Sequence, residues 1–156
     1  MRKRLAPTDP PHSTSREPDW IGLESAAEVE VTSEDAAYPI EAALGSSPAQ
    51  GWRASTPGPQ TIRLLFDHPL SIGRIHLEFR EEQCERSQEY LLQWRTNTAD
   101  GWRQIVRQQF NFHPGATCQI EDYKVELDGA TALEIQITPD RTHRQAHASL
   151  HRLQIA

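Results

Sequence analysis

Cysteine is scarce in this chain: Cys84 and Cys118 are the only two among 156 residues, and neither belongs to a C-x-x-C pair. Such spacing writes neither a four-ligand zinc site nor a disulfide framework, so two reduced thiols are expected. Aromatic residues amount to 7%, and there is no apolar run of the length, about 18 residues, that a membrane-spanning helix needs. Positive charge is outnumbered, giving a formal net charge of -6 and a pI near 5.6. That average field repels phosphate backbones and acidic lipids, which argues against a general nucleic-acid or membrane binder. An export signal is missing as well. Met1-Arg2-Lys3-Arg4 is a basic start, but 6–19 is Pro, Ser and charge where an apolar segment is required. An intracellular, cytoplasmic protein is therefore expected. No Ser-His-Asp order, phosphate-cradling loop or dinucleotide fingerprint occurs. Neither an enzyme nor a bound cofactor is expected.

What is present divides at about residue 20. Residues 1–19 hold Pro7, Pro10, Pro11 and Pro18 among Ser, Thr and charge, with Leu5 the only aliphatic side chain larger than Ala. That composition cannot offset the entropy of ordering, and a disordered leader is expected. Residues 20–156 are of a length that suits one domain. There the dominant period is two: 61–66, 72–79, 89–95 and 102–110 alternate apolar with polar residues, and further runs follow at 124–127, 133–138 and 150–155. Only 38–44, with Pro39 at a first-turn position, reads as a helical turn. Seven or eight short strands, punctuated by Asp-His-Pro, Ala-Asp-Gly, His-Pro-Gly, Asp-Gly and Pro-Asp, predict an all-β antiparallel sandwich. Its expected core is Ile62, Leu64, Phe66, Ile72, Ile75, Leu77, Phe79, Leu92, Trp94, Ile105, Leu133, Ile135, Ile137, Leu150 and Leu153.

The most telling stretch is 29–66, where a short alternating strand, a long turn-rich loop carrying Gly51-Trp52-Arg53, and a second alternating strand follow one another. A Trp is seldom placed in a loop without a packing or contact reason. The order Thr32-Ser33-Glu34-Asp35, Tyr38-Pro39, Ala42-Ala43-Leu44, Gly51-Trp52-Arg53-Ala54, Pro59-Gln60-Thr61-Ile62, then Leu64, Phe66, Ile72, Ile75 and Leu77, resembles the discoidin, or coagulation-factor type C, pattern. The closing Ala148-Ser149-Leu150-His151-Arg152-Leu153-Gln154-Ile155 is similar to that family's last strand. The likeness extends to family 32 carbohydrate-binding modules and to intracellular scaffold domains of DNA repair and transport. It implies an eight-stranded galactose-binding-like jelly roll that meets ligands with loops at one end. Many members carry an Asp-Gly before the Trp as part of a calcium loop. This chain has Leu44-Gly45-Ser46-Ser47 there, too little carboxylate for a hard cation.

Strand parity locates a site without the family. Successive antiparallel strands reverse, so every second connection emerges at the same end. On that count the loops at 45–60, 81–87, 111–117 and 139–148 share one rim, and those at 67–71, 96–101 and 128–131 the other. The first rim collects the candidate ligand-binding residues Trp52, Arg53, Arg80, Glu81, Arg86, Phe112, His113, Arg141, His143, Arg144 and His147, with Glu82 beside them. Aromatic faces that stack on a ligand, with Arg, His and Glu supplying directed hydrogen bonds, are what a small polar-ligand cleft uses. Each has a plainer competitor. Trp52 could close the end of the sandwich, and Arg53 could pair with a surface carboxylate. His143 and His147 lie four apart but in a loop with no third ligand nearby, short of the three or four that zinc takes. Glu81 and Glu82 are adjacent, so they point apart instead of flanking a glycosidic bond.

The function these features predict is a non-catalytic binding module for a carbohydrate or similar small polar ligand. The alternative is an intracellular assembly or repair-type scaffold that presents the rim to another protein. A DNA role through Arg80, Arg86, Arg141 and Arg144 is disfavoured by the acidic average. Solvent-facing rings on Trp52 and Phe112 would mark a ligand platform, and buried ones would favour the scaffold.

Overall fold

A computed structural model describes residues 18–45 and 50–156. The expected leader, apart from Pro18 and Asp19, lies outside the described residues, as do Ser46 and Ser47 of the Leu44-Gly45-Ser46-Ser47 segment. Two 21-residue strands, β3 (Gln60–Arg80) and β6 (Cys118–Thr138), organise the molecule. They run antiparallel from Gln60↔Ile137 to Arg80↔Cys118. They cannot be straight. Gln88 donates to Gln119 at 3.2 Å, while its neighbour Glu89 pairs with Thr138. On a straight strand Gln119 and Thr138 would stand roughly 60 Å apart, at about 3.3 Å per residue. The long hairpin therefore doubles over. Register shifts between Leu65 and Arg74, with Gly129 at φ 69°, mark the corner, which is how a sheet turns from one layer into another.

One layer consists of β1 (Ala27–Val31), the first half of β3, the second half of β6, β4 (Arg86–Arg95) and β5 (Arg103–Phe112). The other consists of β8 (Arg152–Ile155), the second half of β3 and the first half of β6. The predicted loops at 67–71 and 128–131 are thus the bent middles of two continuous strands. Pro69, which has no N–H to donate, sits where ladder pairing is interrupted between Leu65 and Leu70, so a strong turn signal coexists with an unbroken strand. Among the described residues the strands number eight all the same. A ribbon of β2 (Trp52–Arg53) with β7 (Ser149–Leu150) was not foreseen, and the closing run divides at His151 into β7 and β8.

Alternation aims one side of each layer at the other, and the expected core residues are buried there, with Phe79 and Tyr90 stacked at 5.2 Å between layers. Tyr90 and Tyr123 share a hydroxyl hydrogen bond. Burial, and then that bond, push the Tyr90 phenol well above its ordinary value. Ile105 is a correction: it is only partly buried, because β5 is the outermost strand of its layer. Two short helices plug the sides. The expected turn forms as α2 (Glu41–Leu44), burying Ala43 and Leu44, and an unforeseen turn, α1 (Leu23–Ala26), buries Leu23.

Candidate functional site

The β2–β7 ribbon builds the site. Its register, Trp52↔Leu150 and Arg53↔Ser149, puts the first pair inward and the second on the opposite face. Gly51 makes this close packing possible. At φ 78° it occupies backbone space that L side chains avoid, and a Cβ there would lie 2.7 Å from both the Cα of His151 and the carbonyl of Leu150. Trp52 is 1% exposed and donates its indole N–H to the Ser33 carbonyl at 3.1 Å. Tyr38 is tied to the same ribbon, its carbonyl accepting from the Arg53 N–H at 3.1 Å.

Opposite the ribbon, β3 ends at Arg80 and the 81–85 loop begins. Arg86 holds this loop from below. Its guanidinium is 1% exposed and donates to Glu81 at 2.8 Å, Pro139 O at 2.9 Å, Gln88 at 3.0 Å and Ser149 Oγ at 3.3 Å, while lying 4.6 Å over the Phe112 ring. Burial acts to raise the Glu81 carboxyl, but the hydrogen bond from Arg86, with smaller help from Cys84 and Gln83, outweighs it and holds Glu81 below the usual carboxylate range. The result is a cleft of about 300 Å³, lined by Arg53 and Ser149 on the ribbon, Arg80 to Gln83 across from it, Tyr38 and Gln50 at one side, and His147 and His151 at another. A second hollow of about 290 Å³ lies on the far side of Arg86, among Phe112, His113, Asp140 and His143.

The shared rim predicted from strand parity is present: Glu81 N–H donates to Thr117, Arg141 N–H to Ser87, and Gly58 N–H to Ala146. The predicted residues nevertheless divide. Trp52, Arg53, Arg80, Glu81, Glu82 and His147 meet in the first cleft, whereas Arg86, Phe112, His113 and His143 line the second hollow. Arg141 faces away, bonded to Gln109 at 3.1 Å and 3.5 Å from Glu89, and Arg144 lines neither cavity. Of the two roles open to Trp52 and Phe112, the structure shows packing and not a stacking platform, since both rings are buried, at 1% and 2% exposure. Arg86 and Glu81 satisfy each other as an internal tie, and the four arginines weighed for DNA do not form one patch. His147 donates to or accepts at Ala54 O at 3.0 Å according to its tautomer, on the other side of the rim loop from His143. No group of three or more His, Cys, Asp or Glu side chains suited to a metal occurs among the described residues.

Tyr38, Gln50, Gln83, Ser149 and His151 line the cleft without having been expected there. Tyr38 reads as part of a helical turn, and Ser149 and His151 as interior to one strand. Residue pattern carries no signal for the break at His151, whose N–H bonds to Glu78 O outside the strand pairing.

No family model matches the chain, and neither does any curated protein sequence. Solved structures do. The family 32 carbohydrate-binding module of NanJ from Clostridium perfringens, in complex with galactose, superposes with a TM-score of 0.62 at 14% identity over 87% of this chain and 96% of its own. The fold is the discoidin-like, galactose-binding-like sandwich. Another chain sharing this discoidin-like fold is chitosan-binding module 1 from a chitosanase/glucanase of Paenibacillus sp. IK-5, with a TM-score of 0.61 at 16% identity over 87% of this chain and 98% of that one. A Ruminococcus gnavus GH29 fucosidase in complex with fucose matches with a TM-score of 0.65 at 12% identity, over 86% of this chain but 26% of its own, so the discoidin-like fold there is a portion of a longer enzyme.

Proposed function

We propose that this discoidin-like domain is a non-catalytic carbohydrate-binding module whose ligand enters the cleft between the β2–β7 ribbon and the end of β3. The observation that carries the reading is convergence: Arg53, Arg80, Gln50, Gln83 and Ser149 aim donors and acceptors into one hollow beside the half-exposed Tyr38. Sugars offer hydroxyls to the first set and C–H faces to the ring, so such a lining gives orientation and a flat contact together. A volume near 300 Å³ lies at the small end of ligand sites. Solved structures of the same fold carry galactose or a GalNAc-galactose disaccharide. The buried Trp52 and Phe112 rings favour the scaffold by the criterion above, but they do not account for a polar hollow in which Arg53 and Arg80 have no carboxylate partner among the described residues.

Binding without chemistry is favoured because Glu81 is tied to Arg86 at 2.8 Å as part of the loop's support, leaving Glu82 as the one cleft carboxylate not already held, where glycoside hydrolysis uses two placed across the bond. Titration calorimetry with galactose, fucose and a chito-oligosaccharide should give saturable heats with at least one of them. Tyr38→Ala and Arg53→Ala should weaken that binding by about ten-fold or more while leaving the fold intact. Absence of heat from all three at millimolar concentration, with protein shown to be folded by circular dichroism, would overturn the proposal.

A further inference from the structure

The cleft does not end at Arg80. A broader hollow of about 810 Å³ runs from it over the outer face of the second layer toward α2, lined by Glu78, Arg80, His151 and Arg152 with Ala37, Ala42 and Gln50. The two concavities share Gln50, Arg80 and His151, so Arg80 stands at their junction. Strand register explains the placement. Phe79 points into the core, which turns Glu78 and Arg80 outward, and Arg152 pairs with Glu78 on neighbouring β8.

Charge distinguishes this groove from the rest of the molecule. Arg63, Arg74, Arg86, Arg107 and Arg141 each have a carboxylate partner. Of the arginines without one among the described residues, Arg95 and Arg103 lie over the Trp102 and Trp94 rings and Arg144 lines neither concavity, whereas Arg53, Arg80 and Arg152 all line the combined groove. Of its acidic side chains, Glu81 is 2.8 Å from Arg86, and Glu78 is 2.8 Å from His76, which is charged only when protonated and also meets Asp122. Three guanidinium groups therefore face two carboxylates that no arginine holds, Glu78 and Glu82, which leaves a local positive excess on a chain whose net charge is -6. The ring of His151 reports the same field, since burial first, then Arg80 and Arg152, depress its pKa against the opposing pull of Glu78.

We propose that the groove takes an acidic glycan, with neutral hydroxyls in the cleft beside Arg53 and an appended carboxylate or sulfate ester along Arg80 toward Arg152. This rests on the carbohydrate reading above and narrows its ligand class. Planar guanidinium forks match the paired oxygens of carboxylate and sulfate, and a desolvated anion between them would otherwise face an acidic protein surface. Arg152 lines the outer hollow and not the cleft, so it separates anion recognition from sugar recognition.

The test compares a galacturonate trisaccharide, a sulfated galactose oligosaccharide and a neutral galactose trisaccharide by calorimetry at fixed ionic strength, against the native chain, Arg80→Gln and Arg152→Gln. At least one acidic glycan should bind about ten-fold more tightly than the neutral one, and the carboxylate and sulfate arms identify which anion is read. Arg152→Gln should remove most of that advantage while leaving affinity for the neutral trisaccharide unchanged, and Arg80→Gln should weaken both. Equal affinity for acidic and neutral glycans overturns the inference but leaves the carbohydrate reading standing. An acidic preference that survives both substitutions also overturns it, by placing the anion elsewhere. No binding of any of the three overturns both.

Discussion

At the residue scale, Arg86 decides the geometry of the rim. Its charge is buried and meets Glu81, Gln88, the Pro139 carbonyl and Ser149 Oγ, so it ties the 81–85 loop to the 139–148 loop and to β7. Arg86→Ala would leave a carboxylate and several acceptors without a donor, at a cost of about 3–5 kcal/mol. Pairing Arg86→Met with Glu81→Gln should recover much of that loss, because no charge then stays buried without its partner. Urea unfolding of the two single variants and the double variant measures the coupling directly. Gly51→Ala should be costly for a different reason: backbone strain at φ 78° adds to two 2.7 Å contacts with neighbouring backbone, giving a loss beyond about 2 kcal/mol. Were the thermal midpoint unmoved, the close approach of the ribbon to His151 would be wrong. Sequence reasoning singled out Gly51-Trp52-Arg53 as a loop with fixed structure and left the indole two roles, packing or ligand platform, of which the structure shows packing. A Trp in a polar loop signals that something is packed or contacted, and only the Ser33 partner and the neighbouring ribbon decide which.

At the element scale, alternation was legible wherever a strand buries one face, because period two is imposed by the pleat itself. The doubling of β3 and β6 was not legible, since Asp67-His68-Pro69 and Asp128-Gly129 carry the same turn chemistry whether a chain reverses or a sheet turns a corner. The same registers create a polar ladder that no periodicity reveals. Glu30↔Arg63, Arg63↔Glu134 and Gln93↔Glu134 are cross-strand pairs, and their side chains meet on the outer face of the first layer. Glu134 is 2% exposed, held by Arg63 at 2.6 Å, Gln93 at 2.6 Å and Gln136 at 2.8 Å. Hydrogen bonding to Glu134 raises the Arg63 pKa against the opposing effect of burial. Arg63→Ala should therefore cost about 1–3 kcal/mol by stranding a buried carboxylate, and Arg63→Ala with Glu134→Gln should cost less than Arg63→Ala alone. Thermal melts of the set distinguish a coupled ladder from independent surface residues, for which the losses would simply add.

For the whole molecule, the pH dependence of stability follows from groups that titrate differently once folded. Glu78, Glu81, Glu89 and Asp140 are all held below the ordinary carboxylate range, each by hydrogen bonds that prevail, in Glu78, Glu81 and Asp140, over a larger opposing effect of burial. A depressed carboxyl contributes stability that is present above its unfolded pKa and is lost as pH falls through the folded value, so the acid limb should begin near pH 4.5 and steepen below it. The two perturbed histidines oppose one another. Although burial acts to lower it, His76 is raised by hydrogen bonds with Glu78 and Asp122, the latter also 3.6 Å from Arg74. Its contribution is complete below about pH 6.5 and fades as pH rises through the higher folded value. His151 is lowered by burial, Arg80 and Arg152, so its contribution is present above about pH 6.5 and fades on acidification. The native chain should accordingly be most stable near pH 6.5 and decline on either side. His151→Gln should remove the decline on the acid side and leave stability falling only toward alkaline pH, whereas His76→Gln should remove the alkaline decline and leave stability rising up to about pH 6.5. Urea midpoints at half-unit pH steps decide the matter, and parallel profiles for the two variants would sink this account. An acidic glycan in the groove would also move the His151 limb upward, since an anion beside that ring favours its protonated form.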